Sequence, residues 1–368
     1  MYDELSTIVA EKAATLMQSA SEIDGLGLYR GKTGALLALH AAKRALPNAC
    51  SASLEKAIVR LQDEIAENAA PTDSSFNNGL FGIAWGIAML YERRYLIENR
   101  DSVMDSLDDE LYKLVLMQKL TNPDIETGIM GRMMYYLNRV TDALKARSKY
   151  RYLLNYELLM SLMDALAPEI EKTIEEQRQG NAQAMDRLLQ FGGLHSGIFI
   201  LLTIQIKKRI HQEVAERQQI QFIRIFLNFF KFLTEHPSAA FQNAGTYQNT
   251  IPILNCLLWA SYGSRFIHHQ LDCGTPLLNQ FVHESFSASP KAQHFPAKLL
   301  FLHLHRDATA QEQLKKQVIS HDWKYNNWGM SGFSGTLYTL SLFLASRTRS
   351  ADLDFLLFST GANMPEYA

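Results

Sequence analysis

Apolar residues along this chain gather into runs that are hydrophobic on most sides, at 35–39, 83–90, 198–204 and 337–344. A helix apolar all round is buried all round, so these runs predict inner helices. Between them, residues 55–67, 108–120 and 169–179 mix apolar and charged positions at a helical period, which predicts half-exposed outer helices. Residues 1–20 read as one more amphipathic helix, carrying Asp3, Glu4, Glu11 and Lys12. Strand-like alternation is scarce. The 10 prolines fall mostly between helical runs (Pro47, Pro71, Pro123, Pro237, Pro252), and residues 235–250 form the longest predicted loop. The fold class predicted is all-α.

Each inner run follows one short glycine motif. Six copies read GLYRGKTG from Gly27, FNNGLFG from Phe76, DIETGIMG from Asp124, GGLHSG from Gly192, ASYG from Ala260 and WGMSGFSG from Trp328. Their anchor glycines, Gly31, Gly79, Gly128, Gly197, Gly263 and Gly332, stand 48, 49, 69, 66 and 69 residues apart. Four copies add a second glycine three places on, at Gly34, Gly82, Gly131 and Gly335. Such a period fits two helices and their loops, the mark of a repeat architecture. Glycine costs roughly 1 kcal/mol against alanine inside a helix, so the pairs need a reason: close approach of neighbouring backbone. Valine at Gly31, Gly79 or Gly128 is accordingly expected to destabilise the fold by crowding the inner helices. The polar residues before the anchors (Asn77, Asn78, Thr127, His195, Ser196, Ser331) are expected to cap the helices that follow. Inner and outer helices stacked around an axis predict a single α/α-toroid domain over residues 1–368, with six or seven repeats and the motif ends at one mouth.

Composition narrows the function. The 36 basic and 38 acidic residues leave a net charge of −2, with no basic stripe for nucleic acid or an anionic membrane. No apolar run approaches the roughly 20 residues of a membrane span, and the N-terminus lacks a cationic apolar signal. Cys50, Cys256 and Cys273 have no framework spacing, which points to a reducing compartment, the cytoplasm.

GLYRGKTG, NNGLFG, DIETGIMG and MSGFSG resemble the G-x-x-G repeats of lanthionine synthetase C-like cyclases, over roughly residues 24–345. The resemblance implies an α/α toroid that acts on ribosomally made peptides, with a peptide substrate or leader peptide and a dehydratase as partners. Members hold zinc through two cysteines and a histidine. The metal activates a peptide thiolate for addition to a dehydrated serine or threonine, giving a thioether ring. The family's W-C-Y-G motif appears here as Ala260-Ser261-Tyr262-Gly263, with Trp259 displaced by one place, so Ser261 stands where the first cysteine belongs. Its C-H-G motif has no counterpart, or falls on Met330 and Ser331 if the last copy is that repeat. The resemblance therefore implies a degenerate zinc site: no metal ligand is assigned and no cofactor is expected. The family's third-repeat acid matches Asp124. Its fourth-repeat histidine, an acid/base directly before the glycine, is replaced by Ser196, with His195 one place earlier.

The candidate catalytic residues are thus Asp124, His195 and Tyr262, and the candidate substrate-binding residues are Arg30, Ser261, Arg265 and Trp328. Asp124, His195, Ser261 and Tyr262 are expected to converge at the mouth. For Asp124 the competing reading is a helix cap, and for His195 a capping or loop hydrogen bond. Arg30, Lys32, Arg132 and Arg265 either hold an acidic peptide or carboxylate ligand or pair with neighbouring acids. Trp323, Tyr325, Asn326 and Trp328 either grip an extended peptide or pack over inner helices. His268, His269, Cys273 and Cys256 have the spacing of a substitute metal site or are buried thiols and solvated histidines. Two functions follow: a thioether-forming modifier of ribosomal peptides, or a non-catalytic pseudo-cyclase that binds a peptide or thiol for a partner enzyme. A glycan-active toroid is the weakest reading, because Asp124 and Glu126 would point apart on a helix.

Overall fold

The computed structural model describes residues 2–46, 52–68, 73–96, 100–118, 122–178, 182–240, 244–261 and 333–346, and singly Ile267, His269, Leu271, Lys316 and Met330. The described residues are helical, with no strand among them and one isolated bridge between Gly25 and Gly31. The chain divides into two compact units.

The first unit, Met1–Leu166 with Trp323–Arg349, holds α1 (Tyr2–Ser19), a 3₁₀ turn (Ala20–Glu22), α2 (Lys32–Ala45), α3 (Ala52–Asn68), α4 (Leu80–Glu92), α5 (Arg100–Met117), α6 (Ile129–Lys145), the first part of α7 (Lys149–Arg178) and α12 (Phe333–Ser346). Burial separates inner from outer helices. Thr33 to Ala42 of α2 and Ile129 to Val140 of α6 are buried without a break, and α4 is buried from Leu80 to Tyr91 except at Ile87. In contrast α3 buries one stripe, Leu54, Ile58, Leu61 and Ile65, at i, i+4, i+7 and i+11. The last described helix returns to the first repeat: α12 packs on α2 and α1.

The reason for the glycine pairs is local. In α2, α4 and α6 the anchor glycine is itself the N-cap, with no side-chain cap bond. The orphan helix N–H groups go instead to carbonyls of the preceding loop: Lys32 N to Gly25 O (2.8 Å), Leu80 N to Asp73 O (2.7 Å) and Ile129 N to Asn122 O (2.9 Å). Each spans the same seven residues. The loop therefore lies directly on the first turn, where a Cβ on Gly82 would sit 1.9 Å from Phe76 O and one on Gly131 2.1 Å from Ile125 O. This corrects two expectations. The polar residues before the anchors do not cap these helices, and a side chain on Gly31, Gly79 or Gly128 would strike its own loop, at 2.5, 2.4 and 2.2 Å, before any inner helix.

The inner helices also end alike. Arg94, Arg147 and Arg209 all have left-handed φ (59°, 56° and 57°) one or two places beyond α4, α6 and α8. Tyr95, Ser148 and Ile210 reach back to Leu90, Ala143 and Gln205 carbonyls, the six-to-one bond of a Schellman end.

The second unit, Ala167–Asp322 with Ser350–Ala368, contains the rest of α7, then α8 (Ala182–Lys208), α9 (Gln212–Glu235), α10 (Pro237–Ala240) and α11 (Ala244–Ser261). Helix α8 packs on both α9 and α11. Phe199 meets Phe226 at 5.7 Å and Trp259 at 6.2 Å between ring centroids. The stretch Ala184–Lys208 is long and apolar enough to cross a membrane, which the sequence reading did not anticipate; 78% of its most apolar window is buried inside the protein.

The fourth copy begins where α8 bends at Phe191 (φ −124°, ψ 29°): a helical segment opens at Gly192, and the anchor Gly197 lies inside it rather than at its N-cap. In the fifth copy Ala260 and Ser261 close α11, and Gly263 lies outside the described residues. The predicted loop at 235–250 is largely helical, and Pro252 lies inside α11.

Candidate functional site

The loops before the inner helices of the first unit are joined by main-chain bonds. Met330 N donates to Leu28 O (3.1 Å), Tyr29 N to Asn77 O (2.8 Å), and Phe76 N and Asn77 N both to Glu126 O (2.7 and 3.0 Å). The sixth, first, second and third copies therefore form one continuous series of loops. A Cβ at Gly27 would lie 2.3 Å from Asn78 Cα, so adjoining loops touch backbone to backbone.

On that surface Asp124 is 5% exposed, and both its oxygens are engaged by Thr127: Oδ1 accepts from the backbone N (2.7 Å) and Oδ2 from Oγ1 (2.9 Å). It closes its own turn, as aspartate before a helix often does. Glu126, half-buried, is held more loosely, its Oε2 accepting from Asn77 Nδ2 at 3.2 Å. Burial first, then the Asp124 charge, push its carboxyl up to about 7, against the pull of Asn77 and Arg30. Asp124 and Glu126 lie in a loop rather than on a helix, so the helical argument about their directions does not apply to them. Arg30 is exposed, within electrostatic reach of Glu126. Beneath them Tyr29 is buried, and burial, followed by Glu126 and Asp124, raises its phenol. Sequence reasoning chose Asp124 and passed over Glu126. The hydroxyl of Thr127, three places after Asp124, was the signal that Asp124 would be tied up locally.

In the second unit, His195 sits one turn past the bend of α8 and is 5% exposed. Its Nδ1 lies 2.8 Å from Phe191 O, the carbonyl at the bend. A carbonyl only accepts, so Nδ1 carries the proton and Nε2 is the acceptor. Burial lowers its pKa to about 4, so the ring is neutral at pH 7. Ser196 donates to Gly192 O (2.7 Å), and its own carbonyl faces the Cys256 sulfur at 4.0 Å. Burial raises the Cys256 thiol, keeping it protonated. Ser261, in the last turn of α11, donates to Leu258 O at 2.6 Å.

Asp124 and Arg30 thus belong to the first unit, and His195 and Ser261 to the second. Tyr262, Arg265, Trp328 and the lip residues Trp323, Tyr325 and Asn326 lie outside the described residues, as do Cys50, His268 and Cys273. His269 is exposed, and Cys256 is a buried thiol. Among the described residues no group of three or more His, Cys, Asp or Glu is placed to hold a metal ion.

No curated protein matches this chain. A family model described as lanthionine synthetase C-like protein matches residues 22–231, from the 3₁₀ turn before the first motif through most of α9. That span is more than half of the 368 residues, and it carries the first four glycine motifs and the loop-on-helix geometry of the first three. The all-α fold is the one that family builds as a helical toroid, and this chain belongs to the lanthionine synthetase C-like family.

Proposed function

We propose that this protein serves the modification of ribosomally made peptides by binding a peptide, or a thiol-bearing small molecule, at its motif-bearing loops, without forming the thioether itself. Ser261 carries this reading. It occupies the place of the family's first cysteine ligand, and its hydroxyl is spent on Leu258 O. A zinc ion of the family's kind needs thiolate or imidazole donors. The described residues do not fit one: Cys256 is buried with its thiol held protonated, and among the described residues no three His, Cys, Asp or Glu side chains stand together. A buried imidazole with a pKa near 4 is also a poor base at neutral pH. What the loops offer instead is recognition chemistry. Arg30 supplies an exposed cation, Glu126 a carboxyl near half-protonation, and Asn77 an amide, on a backbone fixed by inter-loop hydrogen bonds. A dehydratase is the partner that would use a docked peptide.

The test uses a model peptide with one cysteine and one dehydrated serine. Fluorescence anisotropy reads binding, thiol alkylation followed by mass spectrometry reads ring formation, and elemental analysis reads zinc. Binding with the cysteine still alkylatable, and well under one zinc per chain, is the expected result. Loss of the alkylatable thiol with one zinc per chain would establish the cyclase instead, and absence of binding would reject both.

A further inference from the structure

Helix α6 buries two arginines seven residues apart, and they are treated in opposite ways. Arg139, 4% exposed, is neutralised: Nη2 meets Asp108 Oδ2 at 2.6 Å, Nε reaches both Asp108 oxygens, and Asp142 stands 3.6 Å from Nη1. Arg132 is 2% exposed, on the first turn of the same helix, and no carboxylate pairs with it among the described residues. Its Nε and Nη1 are buried without a hydrogen-bond partner, as is the hydroxyl of Tyr136 one turn on. The guanidinium rests 5.1 Å from the centre of the Phe81 ring. An arginine keeps its charge at any ordinary pH, and a buried charge without a counter-charge is costly.

Both polar contacts of Arg132 among the described residues run through one nitrogen. Its Nη2 donates to Gln118 Oε1 at 2.6 Å and to Ser74 Oγ at 3.1 Å, while Ser74 Oγ donates to the same Gln118 oxygen at 2.8 Å. Two donors, one of them a buried cation, thus converge on a single oxygen. That oxygen belongs to an exposed glutamine just past the end of α5, whose side chain has no other hydrogen bond among the described residues. A neutral amide oxygen gives a cation much less than an anionic oxygen does, since charge-assisted bonds are roughly twice as strong.

We propose that Arg132 and Ser74 form a binding site for an oxyanion, a carboxylate or phosphoryl group of a ligand, whose place is held by the amide oxygen of Gln118 when the ligand is absent. Gln118 swings outward and the anion takes both donors, with Nη1 or Nε of Arg132 completing a forked contact. The site shares no residue with Asp124, Glu126 or the candidate residues of the second unit, and it stands whether or not a peptide binds at the loops.

The test is made on the full-length protein with sodium phosphate, sodium sulfate and sodium acetate as probes, each against sodium chloride at equal ionic strength. Wild type is expected to show a saturable rise in melting temperature and heat of binding with at least one oxyanion. Phosphate and sulfate acting without acetate identify a phosphoryl site, and acetate alone identifies a carboxylate site. Gln118→Ala, which empties the place of the anion, should bind the same probe several-fold more tightly. Arg132→Met should lose the saturable response while melting cooperatively, and Ser74→Ala should weaken it several-fold, which serves if Arg132→Met does not fold. No saturable response to any oxyanion in wild type and Gln118→Ala, or an equal response in Arg132→Met, would overturn the proposal.

Discussion

Alanine at Gly131 tests the account of why the glycines recur. Its Cβ would lie 2.1 Å from Ile125 O, 2.4 Å from Phe76 Cβ and 2.9 Å from Phe76 Cγ, whereas ordinary contact begins at 3.4 Å. Relief requires about 1.3 Å of movement from a backbone carbonyl, since 3.4 less 2.1 is 1.3. The loop cannot give that much without stretching Ile129 N to Asn122 O (2.9 Å) and Phe76 N to Glu126 O (2.7 Å). Overpacking costs about 1–3 kcal/mol. Two weakened hydrogen bonds add about 1 kcal/mol each. Alanine's better helix propensity returns about 1 kcal/mol. The net expectation is a loss of about 3 kcal/mol, read as a lower urea midpoint by far-UV circular dichroism. Gly25→Ala is the control. Its Cβ meets nothing nearer than Arg30 O at 3.5 Å, so it should stay within about 0.5 kcal/mol of wild type. A Gly131→Ala midpoint equal to wild type, or equal losses in both variants, would refute the loop-on-helix explanation.

Arg139→Met leaves Asp108 buried with, among the described residues, the Tyr135 hydroxyl (2.6 Å) alone to satisfy it, and should cost about 3–5 kcal/mol by the same urea assay. Acid should weaken the fold below pH 6.5. His40 and His195 are each held near 4 by burial, against 6.5 unfolded, so the unfolded chain binds more protons between those values and stability falls as pH drops through the window. Each contributes up to about 3 kcal/mol, and His195→Gln should flatten its share of the slope in urea midpoints taken from pH 7 to 4. Glu126 acts in the opposite sense. Its carboxyl is raised to about 7 from 4.5, so it favours the fold below 4.5 and loses that contribution as pH rises through 7. Glu126→Gln should therefore steepen the net acid loss.

The parts of the fold that were legible in the sequence are those where burial alone decides. Helices α2, α4 and α12 lie where the apolar runs place them, and α3 shows the predicted single stripe. Where backbone geometry decides, the sequence was silent. Nothing in Asn77, Asn78 or Thr127 says that a carbonyl six residues before the anchor will take the helix N–H, so side-chain caps were expected. The GGLHSG copy was expected to carry its anchor glycine at the edge of the helix it opens, yet the helical segment begins at the bend at Phe191 and leaves Gly197 inside it. At the candidate site, the spacing of Asp124 was readable, but its engagement by Thr127 depends on a turn conformation. The lone state of Arg132 was not readable at all: the two readings open to a buried arginine, a ligand or a neighbouring acid, differ only in what stands beside it in space.

The family match ends at residue 231, so it leaves the sixth motif, about a hundred residues later, without assignment. The structure supplies one. Met330 N bonds Leu28 O as Tyr29 N bonds Asn77 O, and a Cβ on Gly34 would lie 2.8 Å from Met330 N. A Cβ on Gly335 would lie 1.8 Å from Met330 O, the same loop-on-helix contact as at Gly82 and Gly131. Helix α12 is the counterpart of α2, α4 and α6 in burial, with Phe333 to Tyr338 all enclosed. The last copy is therefore a repeat of the same kind, packed against the first, and the contact joins residues some three hundred positions apart. Closing so long a loop is entropically costly before its contacts form, so the first unit completes itself only after the chain's last motif has folded.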